Sequence, residues 1–207
     1  MQALLYQLNG HFAGRLLTTL VTIGATLQSY FWLNNHLPSR FDFSTPLDAA
    51  IPFLPWTYGV YVSFFALLLA TAWLLEAREF LRMLAAVLVV NAVCYLGFFL
   101  FTAHYPRPPL ESIPPGFWRE QFRVMYASDS AGNTFPSIHV ATTMLGALRL
   151  WPRRGGALWM GWALLIAVST LTVKQHFVVD VLGGMAVAWA VHAWLFRPRV
   201  RLQEARP

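Results

Sequence analysis

Two short polar clusters carry chemically useful side chains within an otherwise apolar part of the chain. The first reads NTFPSIH and ends at His139, and the second reads KQHFVVD and ends at Asp180. In the second cluster His176 and Asp180 are four residues apart, a spacing that places two side chains on one face of a helix. A carboxylate in that position orients an imidazole, fixes its tautomer and leaves the other ring nitrogen free as nucleophile or base.

The first cluster has the residue types of a helix start. Thr134 is a capping residue type, and Pro136 suits the first helical turn, where its missing N–H is not needed. The free N–H groups and the positive dipole end of a helix stabilise an anion, phosphate above all. Ser137 adds a hydroxyl donor at this position, and His139 adds a group that can carry a proton.

Each cluster alone also has a plain structural explanation. A single histidine at a helix start is usually a satisfied polar residue, and His176 with Asp180 could simply hold two helices together. Ionisable groups inside membrane segments are costly, however, and they mark functional sites by default. Two such clusters, each at the boundary of an apolar segment, therefore favour an active site.

Three motifs together resemble the type 2 phosphatidic acid phosphatase (PAP2) superfamily. FPSIH is similar to the second motif of that family, HFVVD with the preceding Ser169 is similar to the third, and Arg107 with Pro108 is similar to the end of the first. The resemblance covers residues 105–184, and three motifs in the right order are specific. It implies an integral membrane enzyme that acts on a lipid phosphate ester.

Two positions depart from the family pattern, both where a phosphate-binding cation is expected. Leu100 stands where the first motif usually has a lysine, and Thr170 stands where the third usually has an arginine. Lys174, the only lysine in the chain, lies two residues before His176 and is a candidate replacement. A branch similar to inositol phosphorylceramide synthases tolerates such departures, and the segment PLDAAIPFLPW over residues 46–56 resembles that branch too.

The residue types and the resemblance lead to the same mechanistic hypothesis. His176 attacks a lipid phosphate to form a phosphohistidine, and Asp180 orients it. His139 protonates the leaving oxygen and then deprotonates the acceptor. The acceptor is water in a lipid phosphate phosphatase and a lipid alcohol in a headgroup phosphotransferase. The candidates for binding the phosphoryl oxygens are Arg107, Ser137 and Lys174.

Two other classes of protein use the same residue types. A polytopic transporter or channel would use the histidines and the aspartate to relay protons or bind ions, with polar groups spread across the bilayer midplane. A metalloenzyme would use His139, His176 and Asp180 as a facial triad of ligands. Because Arg107 and Lys174 would repel a divalent ion, the sequence predicts no metal site, and no motif calls for another cofactor.

The composition predicts that these motifs lie in a membrane. Of the 207 residues, 57% are hydrophobic and only 12% are charged, which excludes an ordinary soluble domain. The net charge is +6, but the basic residues flank apolar runs, so membrane orientation explains them better than nucleic-acid binding. The single cysteine, Cys94, can form no intramolecular disulfide. We expect one all-α domain over residues 1–207, with the motifs in a core over 105–184.

Six apolar runs predict a six-helix transmembrane bundle. They are residues 17–33, 58–75, 84–102, 138–151, 157–173 and 177–196. Residues 76–82 predict a charged turn, and the proline-rich stretch 34–56 predicts an external loop with a solvated Asp48. The long connection 103–135 indicates a functional segment or an internal helix. Within it, residues 116–126 have the pattern of a helix in the headgroup layer.

The basic residues divide unequally between the two ends of this bundle. With six spans both termini share a side, which the positive-inside rule assigns to the cytoplasm because it holds most of the positive charge. Ten of the fifteen basic residues fall there: Arg15, Arg78, Arg82, Arg149, Arg153, Arg154, Arg197, Arg199, Arg201 and Arg206. Arg107, Lys174 and both histidines fall on the other side. We therefore expect a multi-pass protein of the plasma (inner) membrane with an external active site; no pattern predicts its oligomeric state.

Overall fold

The computed structural model describes residues 2–38 and 40–196, and regular structure within them is helical. The helices are α1 (Gln2–Leu8), α2 (Phe12–His36), α3 (Pro46–Ala50), α4 (Tyr58–Val62), α5 (Phe64–Leu74), α6 (Ala77–Leu100), α7 (Phe117–Ser128), α8 (Ile138–Leu150), α9 (Gly156–Thr172) and α10 (Val178–Phe196). Short 3-10 turns cover Pro55–Thr57 and Leu110–Ser112. Among these described residues the only β-type pairing is an isolated bridge between Phe41 and Ala103.

Six apolar stretches form the helical membrane bundle that the hydrophobic pattern predicts. Four are long and apolar enough to cross a membrane: Phe12–His36, Pro55–Leu74, Ala77–Leu100 and Val178–Phe196. The other two, α8 and α9, are apolar but shorter. The 13 residues of α8 extend roughly 20 Å, less than a hydrocarbon core of about 30 Å. The prediction of an all-α membrane fold is confirmed.

The short helix α8 lies at the centre of the bundle. It contacts α5, α6, α9 and α10, and most of its residues are buried. Its small residues permit this close packing; a Cβ atom at Gly146 would lie 2.7 Å from the side chain of Leu67 in α5. Because α8 is surrounded by protein, its backbone ends do not have to meet the lipid boundary on their own.

The helix α6 begins earlier than its apolar run. The prediction of a charged turn over residues 76–82 is wrong, because α6 begins at Ala77. Glu79 lies in the first helical turn, where the helix dipole favours a carboxylate, and it pairs with Arg149 and Arg153. These ion pairs compensate the charges and allow the helix to continue past its apolar residues.

Contacts between arginines and neighbouring helices define one end of the bundle, which we call the basic end. Arg15 donates to the carbonyl oxygen of Ala72 at 2.8 Å, and Arg82 donates to that of Leu195 at 2.8 Å. The basic end comprises Arg15, Arg78, Arg82, Arg149, Arg153 and Glu79. Four of the ten arginines that the sequence predicts on the cytoplasmic side lie outside the described residues: Arg197, Arg199, Arg201 and Arg206.

The connection 103–135 contains α7 and covers the opposite end of the bundle. The expectation of an internal helix there is confirmed, although the helix continues to Ser128. Phe122 and Met125 of α7 are buried against Tyr61 and Val173. This apolar cover lies beside the starts of α8 and α10, where both polar clusters of the sequence are located.

Candidate active site

Three of the six predicted site residues meet in one pocket at this end. The pocket has about 250 Å³ of empty space. Among the residues that line it are Arg107, His139, His176, Tyr30, Tyr61 and Asp129. The two motif histidines, 37 positions apart in the chain, face each other across it. The other three predicted residues, Ser137, Lys174 and Asp180, are not among the residues that line this pocket. The Ser137 hydroxyl, the Lys174 amine and Oδ2 of Asp180 contact protein groups instead.

Close packing of α10 against the first cluster brings the two motifs together. A Cβ atom at Gly184 would lie 2.5 Å from the carbonyl oxygen of Ser137, and one at Gly183 would lie 2.8 Å from the ring of Phe135. The backbone N–H of Ser137 donates to the carbonyl oxygen of Asp180 at 2.9 Å. The glycine pair is therefore needed at this position, because a larger residue would separate the two clusters.

Ser137 is the N-cap of α8. The prediction that Thr134 caps this helix is wrong, because α8 begins at Ile138 and the Ser137 Oγ accepts the N–H of Val140 at 3.4 Å. The side chain of Ser137 is fully buried. Its hydroxyl thus serves the helix terminus here, and its assignment to phosphate binding stays a prediction.

The backbone fixes the tautomer of His176. Its Nδ1 lies 3.0 Å from the carbonyl oxygen of Thr134. A carbonyl oxygen can only accept, so Nδ1 carries the proton and Nε2 has the free lone pair. Nε2 lies 3.5 Å from Nδ1 of His139. The unprotonated nitrogen therefore faces the pocket, where a nucleophile would have to be.

Asp180 lies behind His176 in a different arrangement from the predicted one. The prediction of a shared helix face is wrong, because α10 begins at Val178 and His176 precedes it. The Oδ2 atom of Asp180 still lies 3.5 Å from Nδ1 of His176, and it accepts the N–H of Phe177 at 2.8 Å. Asp180 is fully buried, and its Oδ1 has no hydrogen-bond partner among the described residues. A buried carboxylate at this distance would stabilise the positive charge that the imidazole acquires if its free nitrogen forms a bond to phosphorus.

His139 has a hydrogen-bond partner that no motif indicates. The hydroxyl of Tyr61 lies 2.9 Å from Nε2 of His139. Phe64 packs edge-on against the imidazole, with 4.6 Å between the ring centroids. Tyr61 lies in α4, within a long apolar run, so nothing in its local sequence distinguishes it from an ordinary buried tyrosine.

Arg107 is held by several acceptors, including a carboxylate. Its guanidinium lies 3.2 Å from Oδ2 of Asp129 and also donates to the backbone oxygen of that residue. It donates as well to the carbonyl of Ser130 at 2.9 Å and to Oε1 of Gln175 at 2.7 Å. Burial raises the pKa of Asp129, while the neighbouring Arg107 charge lowers it. A carboxylate therefore balances this cation before any substrate is present.

Lys174 lies next to the pocket but contacts a loop. Its Nζ donates to the carbonyl oxygens of Asp48 and Ile51 at 2.9 and 2.6 Å. Burial lowers the pKa of this amine, and the charge of Asp48 acts in the opposite direction. Lys174 is not among the residues that line the described pocket. Its assignment to phosphate binding stays a prediction.

Asp48 fastens the same loop to the start of α10. The prediction that it is solvated is wrong, since it is only 5% exposed. Its Oδ1 accepts the N–H of Val178 at 2.7 Å, and its Oδ2 accepts the N–H of Thr45 at 2.8 Å. The carboxylate thus satisfies free N–H groups at the starts of two helices, α3 and α10.

The chemistry available is therefore nucleophilic and acid–base. Within residues 2–38 and 40–196, no group of three or more His, Cys, Asp or Glu side chains is arranged to hold a metal ion. His176 offers a nucleophilic nitrogen, His139 a proton carrier within reach of it, and Arg107 a cation. Asp180 supports the charge that His176 would acquire.

Comparison with known families finds a match that covers most of the chain. A family model described as the PAP2 superfamily matches residues 41–194, well over half of the chain. The matched range contains all six predicted site residues and also Asp48, Tyr61 and Asp129. No curated protein and no solved structure matches the chain.

Proposed function

Because the chain belongs to the PAP2 superfamily, we propose that it transfers a phosphoryl group from a lipid phosphate ester through a phosphohistidine formed at His176. Membership indicates a phosphatase- or phosphotransferase-type enzyme that acts on phosphate esters. The lipid substrate, the nucleophile and the acceptor are the parts that we add. The observation that carries the proposal is the contact between Nδ1 of His176 and the Thr134 carbonyl oxygen, which leaves Nε2 facing His139 across the pocket.

The proposed reaction has two steps. The Nε2 of His176 attacks phosphorus and forms a P–N bond while the P–O bond to the leaving group breaks. His139, doubly protonated at the start of this step, gives one proton to the leaving oxygen and becomes neutral, and the Asp180 carboxylate stabilises the charged phosphoimidazole. The acceptor oxygen then attacks phosphorus, His139 takes its proton, and the P–N bond breaks to restore His176.

An apolar pocket beside the site supports a lipid substrate. Its empty space is about 570 Å³ when the open space at its mouth is counted, and it is lined by residues of α2, α5, α6 and α8, including Leu27, Phe65 and Leu68. Tyr30 and His139 line both this pocket and the polar one. A lipid with its phosphate at His176 would place hydrocarbon there, in surroundings as apolar as the bilayer interior that its chains occupy otherwise.

The charge balance of the polar pocket supports a phosphodiester donor. Arg107 and Asp129 both line the pocket, and their charges offset each other. A phosphomonoester brings a charge of about −1.5 to −2 at neutral pH, whereas a phosphodiester brings only about −1. We therefore propose transfer of a phosphorylated headgroup from one lipid to a lipid alcohol, the activity of the inositol phosphorylceramide synthases that the sequence resembles.

The nucleophile is tested with a phospholipid diester labelled at phosphorus and a lipid alcohol acceptor. Wild-type protein is expected to transfer the labelled headgroup and to retain acid-labile phosphate when quenched, and His176→Ala is expected to do neither. His104→Ala, which removes an exposed loop histidine, is the matched control and should do both. A fully active His176→Ala protein would exclude the mechanism.

The donor is tested separately with a lipid phosphomonoester. The proposal predicts slow or no release of inorganic phosphate from it under conditions in which the diester donor reacts. Phosphate release from the monoester without any headgroup transfer would contradict the diester donor and would leave the role of His176 intact.

We also propose that the site faces the outside of the plasma (inner) membrane. Ser112 is exposed near the site, and Arg154 is exposed near the basic end. A cysteine at Ser112 should react with an impermeant reagent in intact cells, and a cysteine at Arg154 should not. The buried Cys94 gives little background labelling. The opposite labelling pattern would reverse the orientation.

A further inference from the structure

We propose that Tyr61 is a positioning residue that sets which nitrogen of His139 exchanges protons with the substrate. The inference rests on the proposed function, in which His139 is the acid and base. It concerns a side chain that the family motifs leave unassigned. Four polar groups form one chain of contacts through the site: the Thr134 carbonyl, the His176 ring, the His139 ring and the Tyr61 hydroxyl.

The Thr134 carbonyl determines which group donates and which accepts in each of these hydrogen bonds. Thr134 presents a carbonyl oxygen, so Nδ1 of His176 must donate at 3.0 Å and Nε2 is unprotonated. The proton between the two rings then belongs to Nδ1 of His139, 3.5 Å away. Neutral His139 consequently has no proton on Nε2, and the Tyr61 hydroxyl donates to that nitrogen at 2.9 Å.

A hydroxyl can keep this bond throughout the proposed reaction because it both donates and accepts. When Nδ1 of His139 holds the only ring proton, the Tyr61 O–H donates to Nε2. When His139 carries two protons, or keeps only the one on Nε2 after Nδ1 has protonated the leaving oxygen, the Nε2–H donates to the Tyr61 oxygen. Nε2 of His139, on the side of the ring away from the substrate, therefore always has a hydrogen-bond partner. Nδ1, which faces the pocket, is left as the nitrogen that exchanges protons.

Burial holds Tyr61 in this position. The residue is 6% exposed and packs in the apolar cluster with Phe122 and Met125 of α7. Its ring lies 4.7 Å from the His139 ring, centroid to centroid. A buried ring nitrogen that loses its partner loses the full hydrogen bond, because no bulk water replaces it.

The other titratable and charged groups near His139 come from several elements. From α2, Tyr30 lines the same pocket as His139. From α5, the neighbour of His139 is Phe64, whose ring does not titrate. The remaining titratable and charged groups that line the polar pocket are Tyr105, Arg107, Asp129 and His176. The pH dependence of Tyr61 variants must therefore be compared with wild type in the same assay, so that contributions from these groups cancel.

The test is Tyr61→Phe, with Tyr58→Phe as the matched control. Tyr58 lies one helical turn earlier, and its ring centroid lies 5.8 Å from that of Tyr61. For Tyr61→Phe we expect kcat for headgroup transfer to fall about tenfold to hundredfold, with KM within about twofold, since a bond to a charged group is lost from the reacting state. The high-pH limb of its rate profile should move to lower pH by about one unit, because protonated His139 has lost its acceptor. Tyr58→Phe should match wild type in kcat, in KM and in the position of the high-pH limb.

The outcomes separate this inference from the proposed function. A Tyr61→Phe protein with wild-type kcat and pH profile overturns the inference about Tyr61. A lower kcat with an unchanged pH profile also overturns it, because that result would indicate a merely structural role. Tyr61→His, whose ring also donates and accepts, should recover part of the kcat that Tyr61→Phe loses. It also allows the position to be tested if Tyr61→Phe fails to fold. An equal loss of kcat in both variants overturns the inference. Absence of phosphohistidine in wild type would instead refute the proposed function.

Discussion

The two ends of the bundle both contain arginines, but the arginines have different surroundings. At the basic end, Arg149 and Arg153, which are 17% and 29% exposed, share the single carboxylate of Glu79, so positive charge is in excess. At the opposite end, which we call the site end, Arg107 is 11% exposed and is matched by Asp129. An excess of exposed charge can orient a membrane protein, and a buried, balanced charge can hold one substrate group in one place.

This contrast predicts how each end responds to substitution. At the basic end the net charge matters more than the geometry of each side chain, because two arginines share one partly exposed carboxylate and solvent screens part of their attraction. At the site end geometry matters as much as charge. The site end comprises Arg107, Asp129, Lys174, His139, His176, Asp180 and the loop carboxylate Asp48.

The largest difference is expected between Arg107→Lys and Arg153→Lys. The guanidinium of Arg107 donates to acceptors on three residues in a fixed plane, which an ammonium group cannot reproduce. We expect kcat/KM for headgroup transfer to fall about hundredfold in Arg107→Lys, the loss of one or two charge-assisted bonds. Arg153→Lys should remain within about twofold of wild type. Equal effects at the two positions would contradict the comparison.

A smaller difference is expected between the carboxylates Asp48 and Glu79. Asn at position 48 can accept one of the backbone N–H groups but offers an amide donor to the other, so a buried N–H of Val178 or Thr45 loses its acceptor. We expect Asp48→Asn to lower the free energy of unfolding by about 1–3 kcal/mol. Glu79→Gln should lower it by less than about 1 kcal/mol because the carboxylate is partly exposed. Thermal unfolding of both variants in the same detergent measures this difference.

Much of the fold could be predicted because it depends on local pattern. The six apolar runs predict the bundle, and the alternating aromatic and charged residues of 116–126 predict α7. The start of α6 could not be predicted from hydropathy, since the charges of its first turns are paired with Arg149 and Arg153, some 70 residues away. The start of α8 at Ile138 also depends on distant residues, because α10 packs against the segment that precedes it.

The motif residues of the site could be found from spacing, and their partners could not. His139, His176 and Arg107 stand out because polar residues are rare in apolar sequence. Tyr61 and Asp129 reach the same pocket from distant segments, and each resembles the ordinary residues around it. The role of the Thr134 carbonyl was also beyond prediction, because every residue has a carbonyl and only the fold shows which one His176 contacts.

The smallest effect is expected at Lys174, the candidate replacement for the two phosphate cations that the family pattern has at positions 100 and 170. Its amine contacts two neutral carbonyl oxygens of the loop that Asp48 holds by hydrogen bonds, so its charge is directed away from the pocket.

Lys174→Gln keeps most of the side-chain length and a hydrogen-bond donor but removes the charge. If the lysine only anchors the loop, kcat/KM should fall a few-fold, and by the same factor for a phosphodiester and a phosphomonoester. If Lys174 instead binds phosphate, the monoester should lose much more than the diester, since it carries about −1.5 to −2 rather than about −1. Measuring the ratio of the two losses, rather than either loss alone, separates the roles, because damage to the loop lowers both rates together and cancels in the ratio.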